Sequence, residues 1–130
     1  DASVCCLVFD PPHVTENATK GASRKICEGQ HFDSVEHAAN VSGLFPGFLK
    51  EAYRVLRPKG IAMVKISDQI HRGRYQWQHI DLVLAAREHG LTPCDMLIKV
   101  RKHAIMGKWP RALHARKYSC FWIILRKGGC

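Results

Sequence analysis

Closely paired cysteines are missing from this chain. It holds six cysteines, yet no C-x-x-C occurs, and zinc sites usually need such pairs. Cys5 and Cys6 are adjacent in an apolar run, where a strand turns them to opposite faces. Cys27, Cys94, Cys120 and Cys130 stand alone. The expectation is buried free thiols in a reducing compartment, the cytoplasm. Long hydrophobic runs are missing too. No segment approaches the roughly 18 uncharged apolar residues of a membrane helix, so no membrane partner is expected. There is no secretory leader pattern, although a chain that opens at Asp1 without methionine leaves that question outside the sequence. Eight histidines are present, but no H-x-x-x-H pair accompanies a carboxylate on a helix-like stretch, so no metal site is expected. Acidic residues are scarce, 11 against 20 Lys and Arg, for a formal charge of +9. That balance fits either a generic basic protein or one with a polyanionic partner, usually nucleic acid.

What is present is enough for one domain: 130 residues, 46% hydrophobic, with apolar side chains running through most of the length. Val4–Phe9 is continuously apolar and β-favouring, the pattern of a strand buried on both faces in a parallel sheet. Asp10-Pro11-Pro12 ends it, since two prolines forbid further ladder pairing. Residues 13 to about 42 are polar and read as a long loop with one helical turn near Ser34–Asn40; a connection of that length usually binds something or is disordered. Helical spacing of Phe48, Leu49, Ala52, Tyr53, Val55 and Leu56 gives an amphipathic helix over Phe45–Leu56, stopped by Arg57-Pro58-Lys59-Gly60. Ile61–Ile66 is a second buried-type strand. Trp77–His89 is a second helix, closed by Gly90 at C′. Two more strands follow, about Cys94–Arg101 and Ser119–Leu125. The order strand, helix, strand, helix, strand, strand predicts an α/β fold with a mostly parallel sheet and an antiparallel last strand.

Asp10-Pro11-Pro12-His13 lies directly after the first strand. Ligands of open α/β sheets bind at the carboxyl ends of strands. There the Asp10 carboxylate and the Pro11 carbonyl can each accept a hydrogen bond from an –NH₂ group, and Pro12 fixes the backbone. Two such acceptors aim the nitrogen lone pair at an electrophile, and the flat His13 ring can stack on a base flipped from its helix.

The run Asp1–His13 resembles the lead into the (D/N/S)-P-P-(Y/F/W) motif of class I S-adenosylmethionine-dependent amino-group nucleic acid methyltransferases. That family acts on adenine N6, cytosine N4 or, in RNA relatives, guanine N2. Phe48-Leu49-Lys50-Glu51-Ala52-Tyr53-Arg54-Val55-Leu56-Arg57-Pro58-Lys59-Gly60-Ile61 is similar to the helix-and-strand step after that motif. Lys65-Ile66-Ser67-Asp68 and Trp77-Gln78-His79-Ile80-Asp81 resemble a subset of phage and bacterial DNA methylases. The resemblance spans nearly the whole chain and departs at His13, where the family mostly carries Tyr, Phe or Trp. It implies a Rossmann-like class I methyltransferase sheet, S-adenosylmethionine as cofactor, and nucleic acid as partner, DNA before RNA. Asp10, Pro11, Pro12 and His13 would be catalytic, with Asp10 and Pro11 also touching the cofactor.

Lys65 and Asp68 flank the end of the second strand and are candidates for contact with substrate or with the Asp10 loop, against a solvated strand end with a local ion pair. Arg72, Arg74, Lys99, Arg101, Lys102, Lys108, Arg111, Arg116 and Lys117 could meet phosphates as a group. Trp77 and Trp109 can each be read as a stacking platform; Trp77 opens a helix and is expected in the core, whereas Trp109, before Pro110 in a basic loop, is the better stacking candidate.

The family's glycine-rich cofactor loop has no counterpart here, because no G-x-G follows any strand. Val4–Phe9 also reads as a central strand with almost nothing before it, and as an edge it would expose a flat apolar row. The expectation is a C-terminal portion of a catalytic domain whose first strand is covered by an absent segment or a second chain. Three readings stay open: a methyltransferase, a non-catalytic nucleic-acid-binding or accessory subunit with a degenerate methyltransferase fold, and a protein-interaction domain using the uncovered edge.

Overall fold

The computed structural model describes residues 2–11, 41–71, 74–102, 114 and 118–129. The elements in chain order are β1 (Val4–Phe9), a 3-10 helix (Val41–Leu44), α1 (Phe45–Val55), β2 (Leu56–Ile66), β3 (Gln69–His71), β4 (Arg74–Gln76), α2 (Gln78–Glu88), β5 (Leu91–Val100) and β6 (Ser119–Lys127). The turn expected near Ser34–Asn40 lies outside the described residues.

Local chemistry accounts for the boundaries. A proline sits in the first turn of α1, where its missing N–H costs nothing. Phe45, Leu49 and Ala52 recur on the buried face. The residue before a proline avoids the helical region, and α1 gives way just ahead of Arg57-Pro58, with Leu56 already extended. α2 ends at Gly90, whose φ of +76° suits a residue without Cβ.

Four strands form one sheet in the order β1-β2-β6-β5, and β3 and β4 make a separate two-stranded sheet. β1 pairs with β2 in parallel, while β2 and β5 each pair with β6 antiparallel. The sheet therefore departs from the mostly parallel pairing expected. β1, β2 and β5 do run in one direction, but the reversed β6 lies between β2 and β5 and converts two of the three ladders. Strand order of this kind is set by long-range packing, which helix–strand alternation does not encode.

β2 begins five residues earlier than Ile61, and its ladder with β1 absorbs the surplus. Between Val4↔Leu56 and Cys6↔Ile61 the register shifts, with Lys59 at φ +66°. Gly60 is buried there; a Cβ on it would come 2.9 Å from the Arg57 carbonyl oxygen and 3.1 Å from that of Val4.

Both helices lie on one face of the sheet. Leu49, Ala52, Leu82 and Ala86 join Ala62, Val64, Ile66, Ile123 and Leu125 in a single core. The opposite face and both edges carry apolar side chains in the open: Val8 is 59% exposed and Val100 71%. β1 is thus not buried on both faces as its composition led one to expect. Val4, Leu7 and Phe9 are half-buried against the core, while Cys5, Cys6 and Val8 are exposed, and β2 is the sole ladder partner of β1 among the described residues.

The thiols also differ from expectation. Cys5 and Cys6 are free but exposed, Cys120 is free and buried, and Cys94 is disulfide-bonded.

Candidate carboxyl-edge site

The pairings Phe9↔Val64, Ile66↔Phe121 and Val100↔Ser119 bring four strand ends to one edge. β1, β2 and β5 finish there, and β6 starts there. Asp10, Ser67, Asp68 and Arg101 consequently follow or flank strand ends on the same side of the molecule.

Register places Asp10 beside Lys65, and the two meet: Lys65 Nζ donates to Asp10 Oδ2 at 2.7 Å. The Lys65 ammonium also lies 5.8 Å from the centre of the Trp122 ring. Half of the Asp10 side chain stays open to solvent, and Pro11 is fully buried, so the backbone that presents the carboxylate is anchored. Pro12, His13 and Trp109 lie outside the described residues. Arg101 donates its backbone N–H to the Tyr118 carbonyl at 2.6 Å. Three strand spacings separate β1 from β5, about 14 Å, so Arg101 shares the edge with Asp10 but is not brought next to it.

Asp68 is the organising residue of a second cluster. Its residue is 6% exposed. Oδ2 accepts from the Tyr75 hydroxyl at 2.7 Å. Oδ1 accepts from the His79 backbone N–H at 3.2 Å and from His79 Nδ1 at 2.7 Å. The His79 ring nitrogen and backbone N–H meet the same carboxylate oxygen, which fixes the imidazole in place. The backbone bond has a structural cause. Trp77, the N-cap of α2, offers no side-chain cap, and Asp68 supplies an anionic acceptor to the first-turn N–H groups instead. The His79 ring stacks on Phe121 at 4.5 Å, and Tyr75 packs against Trp77 at 4.5 Å. Burial first, then the hydrogen bond to Asp68 and that residue's charge, push the Tyr75 hydroxyl up to about 12. Nearby, Ser67 Oγ, Gln69 Nε2 and Gln78 Oε1 are buried without a hydrogen-bond partner among the described residues.

Tyr75, Gln78 and His79 were not singled out individually by sequence, and Trp77 was placed in the core. The structure instead leaves Trp77 55% exposed. A signal was present in Tyr75-Gln76-Trp77-Gln78-His79, where rings alternate with glutamines. Such a period marks two faces of an extended segment, and here it continues across the junction into α2. The β3–β4 hairpin has no counterpart among the elements expected from sequence, its strands being three residues each.

No protein-family profile and no curated protein matches the sequence. Solved structures do match the fold. TTHA0409 of Thermus thermophilus, which bears the name of a DNA modification methylase, superposes in its complex with S-adenosyl-L-methionine at a TM-score of 0.63. Identity is 20%, over 100% of this chain and 48% of that one. The M1.HpyAVI–SAM complex matches at a TM-score of 0.53 and 12% identity, over 96% of this chain and 44% of the other. The chain spans about half the length of these proteins, and over that span it has their fold.

Proposed function

We propose that this chain is the substrate-binding portion of a methyltransferase catalytic domain that uses S-adenosylmethionine and acts on an exocyclic amino group of a nucleic acid base, adenine N6 or cytosine N4 in DNA. The observation that carries this reading is Asp10. It follows a parallel strand at the carboxyl edge, is held by Lys65 and by the buried Pro11, and keeps half its side chain open to solvent. Likeness of fold to TTHA0409 and M1.HpyAVI, both solved with that cofactor, supports it, as does the charge of +9.

Asp10 would accept one N–H of the target amine, and Lys65 would hold the carboxylate in orientation. His13 would stack on the base. Catalysis of this kind rests on positioning and on preorganised charge. The cofactor supplies the methyl group, and this chain offers it Asp10 and Pro11. Among the described residues Gly60 and Gly90 leave no room for a ligand, because the Val4 and Arg57 carbonyls and the Tyr53 ring stand against them. The second reading is a non-catalytic nucleic-acid-binding or accessory subunit with a degenerate methyltransferase fold.

Calorimetric titration of S-adenosylmethionine and transfer of a labelled methyl group to DNA, measured on this chain and on a form extended upstream of Asp1, separate the two. On the first reading the extended form binds the cofactor and transfers the methyl group, and Asp10→Ala in that form lowers transfer on the order of a hundredfold or more with nucleic-acid affinity and thermal stability retained. Wild-type-like turnover in that variant removes Asp10 from the mechanism. Nucleic-acid binding with no cofactor heat and no transfer by either form supports the second reading.

A further inference from the structure

Among the described residues, Trp77 makes no contact that requires an indole at the start of α2. It occupies the N-cap of α2, a position that favours Ser, Thr, Asp or Asn, and makes no side-chain cap. Its contribution to the helix is its backbone carbonyl, which accepts from the Ile80 and Asp81 N–H groups at 3.0 Å each. The ring itself is 55% exposed, an unusual state for a side chain whose burial is so favourable.

Its setting is nevertheless rigid. The Tyr75 ring lies 4.5 Å from it, tilted by 60°, and the His79 ring lies at 6.1 Å. Both supporting rings are tied to the Asp68 carboxylate, whose side chain is 3% exposed, and His79 rests on Phe121 in the sheet. An exposed indole fixed in this way loses little freedom when a flat ligand settles on it. Arg74, in the strand that leads to Trp77, is exposed, and the chain as a whole carries +9. The hairpin rises directly after Asp68, from the edge that also bears Asp10.

We propose that Trp77, seated on Tyr75 at the foot of the β3–β4 hairpin, is a stacking platform for an unpaired nucleobase, with Arg74 drawing the adjoining phosphate backbone. The inference rests on the nucleic-acid reading above and adds a contact to it. An unpaired base fits better than a duplex, since bases inside a duplex already bury their faces against each other. Aromatic platforms contribute about 1–3 kcal/mol per stacked base with little regard to sequence.

The test measures fluorescence anisotropy of the protein with three probes: a short single-stranded oligodeoxynucleotide, its duplex, and a base-free sugar–phosphate strand. Trp77→Ala should weaken single-strand binding roughly 5- to 150-fold. Its affinity for the duplex and the base-free strand should match that of wild type, and Trp77→Phe should recover most of the loss. Trp77→Leu keeps an apolar contact with Tyr75 and removes the π face, so it should behave like the alanine variant even if alanine disturbs the hairpin. Equal single-strand affinity in wild type and both non-aromatic variants overturns the platform while leaving the nucleic-acid reading intact. A loss of equal size on all three probes also overturns it, as the mark of a general structural effect. Absence of binding by wild type to every probe overturns the platform and the nucleic-acid reading together.

Discussion

At the scale of single residues, the carboxyl edge holds two carboxylates in opposite circumstances. Asp10 is half open and pairs with the Lys65 ammonium; Asp68 is buried and accepts hydrogen bonds from Tyr75 and His79. The first keeps part of its carboxylate at the surface, and the second ties two aromatic side chains to the edge of the sheet. Tyr75→Phe isolates the second role, because it removes one hydroxyl donor and keeps the ring. A hydrogen bond to a charged, buried acceptor contributes about 2 kcal/mol, and thermal unfolding at neutral pH should show a loss of that order. The dependence on pH has a definite sign. Tyr75 titrates in the fold at about 12 rather than at its ordinary 10.0, so folding favours its neutral form. Its contribution is complete below pH 10 and is lost as pH rises through 12. Melting curves of wild type and Tyr75→Phe should therefore keep a constant gap up to about pH 10 and converge above it. A gap that widens with pH contradicts the assignment.

Elements in this chain meet through glycines and one lysine. Gly90 ends α2 at positive φ, and a Cβ there would sit 3.0 Å from Tyr53. Tyr53 in turn lies under the Lys127 ammonium, which donates to the Tyr53 and Leu56 carbonyls at the end of α1. Gly90→Ala should cost about 1–2 kcal/mol in denaturant unfolding, from left-handed backbone in a residue with a side chain. Gly60→Ala should cost more, up to about 3 kcal/mol, because its neighbours are the Arg57 and Val4 backbone oxygens, which cannot swing aside as a ring can. If the two variants ranked the other way, the β1–β2 junction would not be packed as described. Gly90 is legible in the sequence as a helix end, whereas Gly60, read there as part of a helix stop, lies inside β2. The reason Gly60 is intolerant is not legible there, because Val4 reaches it from far away in the chain. β3 and β4 escaped notice for a related reason: strands of three residues carry too few positions for any period to emerge.

For the whole molecule, excess positive charge is the property with the widest reach. Phosphate neutralisation releases counterions, so affinity for DNA should fall steeply with salt, on the order of a thousandfold between 50 and 200 mM for about six contacted phosphates. Filter binding across a salt series measures the slope, and a flat profile would argue against a polyanionic partner. By itself the sequence determined the order of its main strands and helices, the stops at Arg57-Pro58 and Gly90, and the position of Asp10 after a buried-type strand. Each follows from periodicity and from backbone restrictions that act within a few residues. Only the tertiary structure decided that β6 lies between β2 and β5, that β1 stands at an edge of the described sheet, that Lys65 reaches Asp10, and that Asp68 gathers Tyr75 and His79 beneath an exposed Trp77. Those outcomes depend on which surfaces meet across distant parts of the chain, and the energies that choose among them belong to pairs of elements rather than to any one stretch of residues.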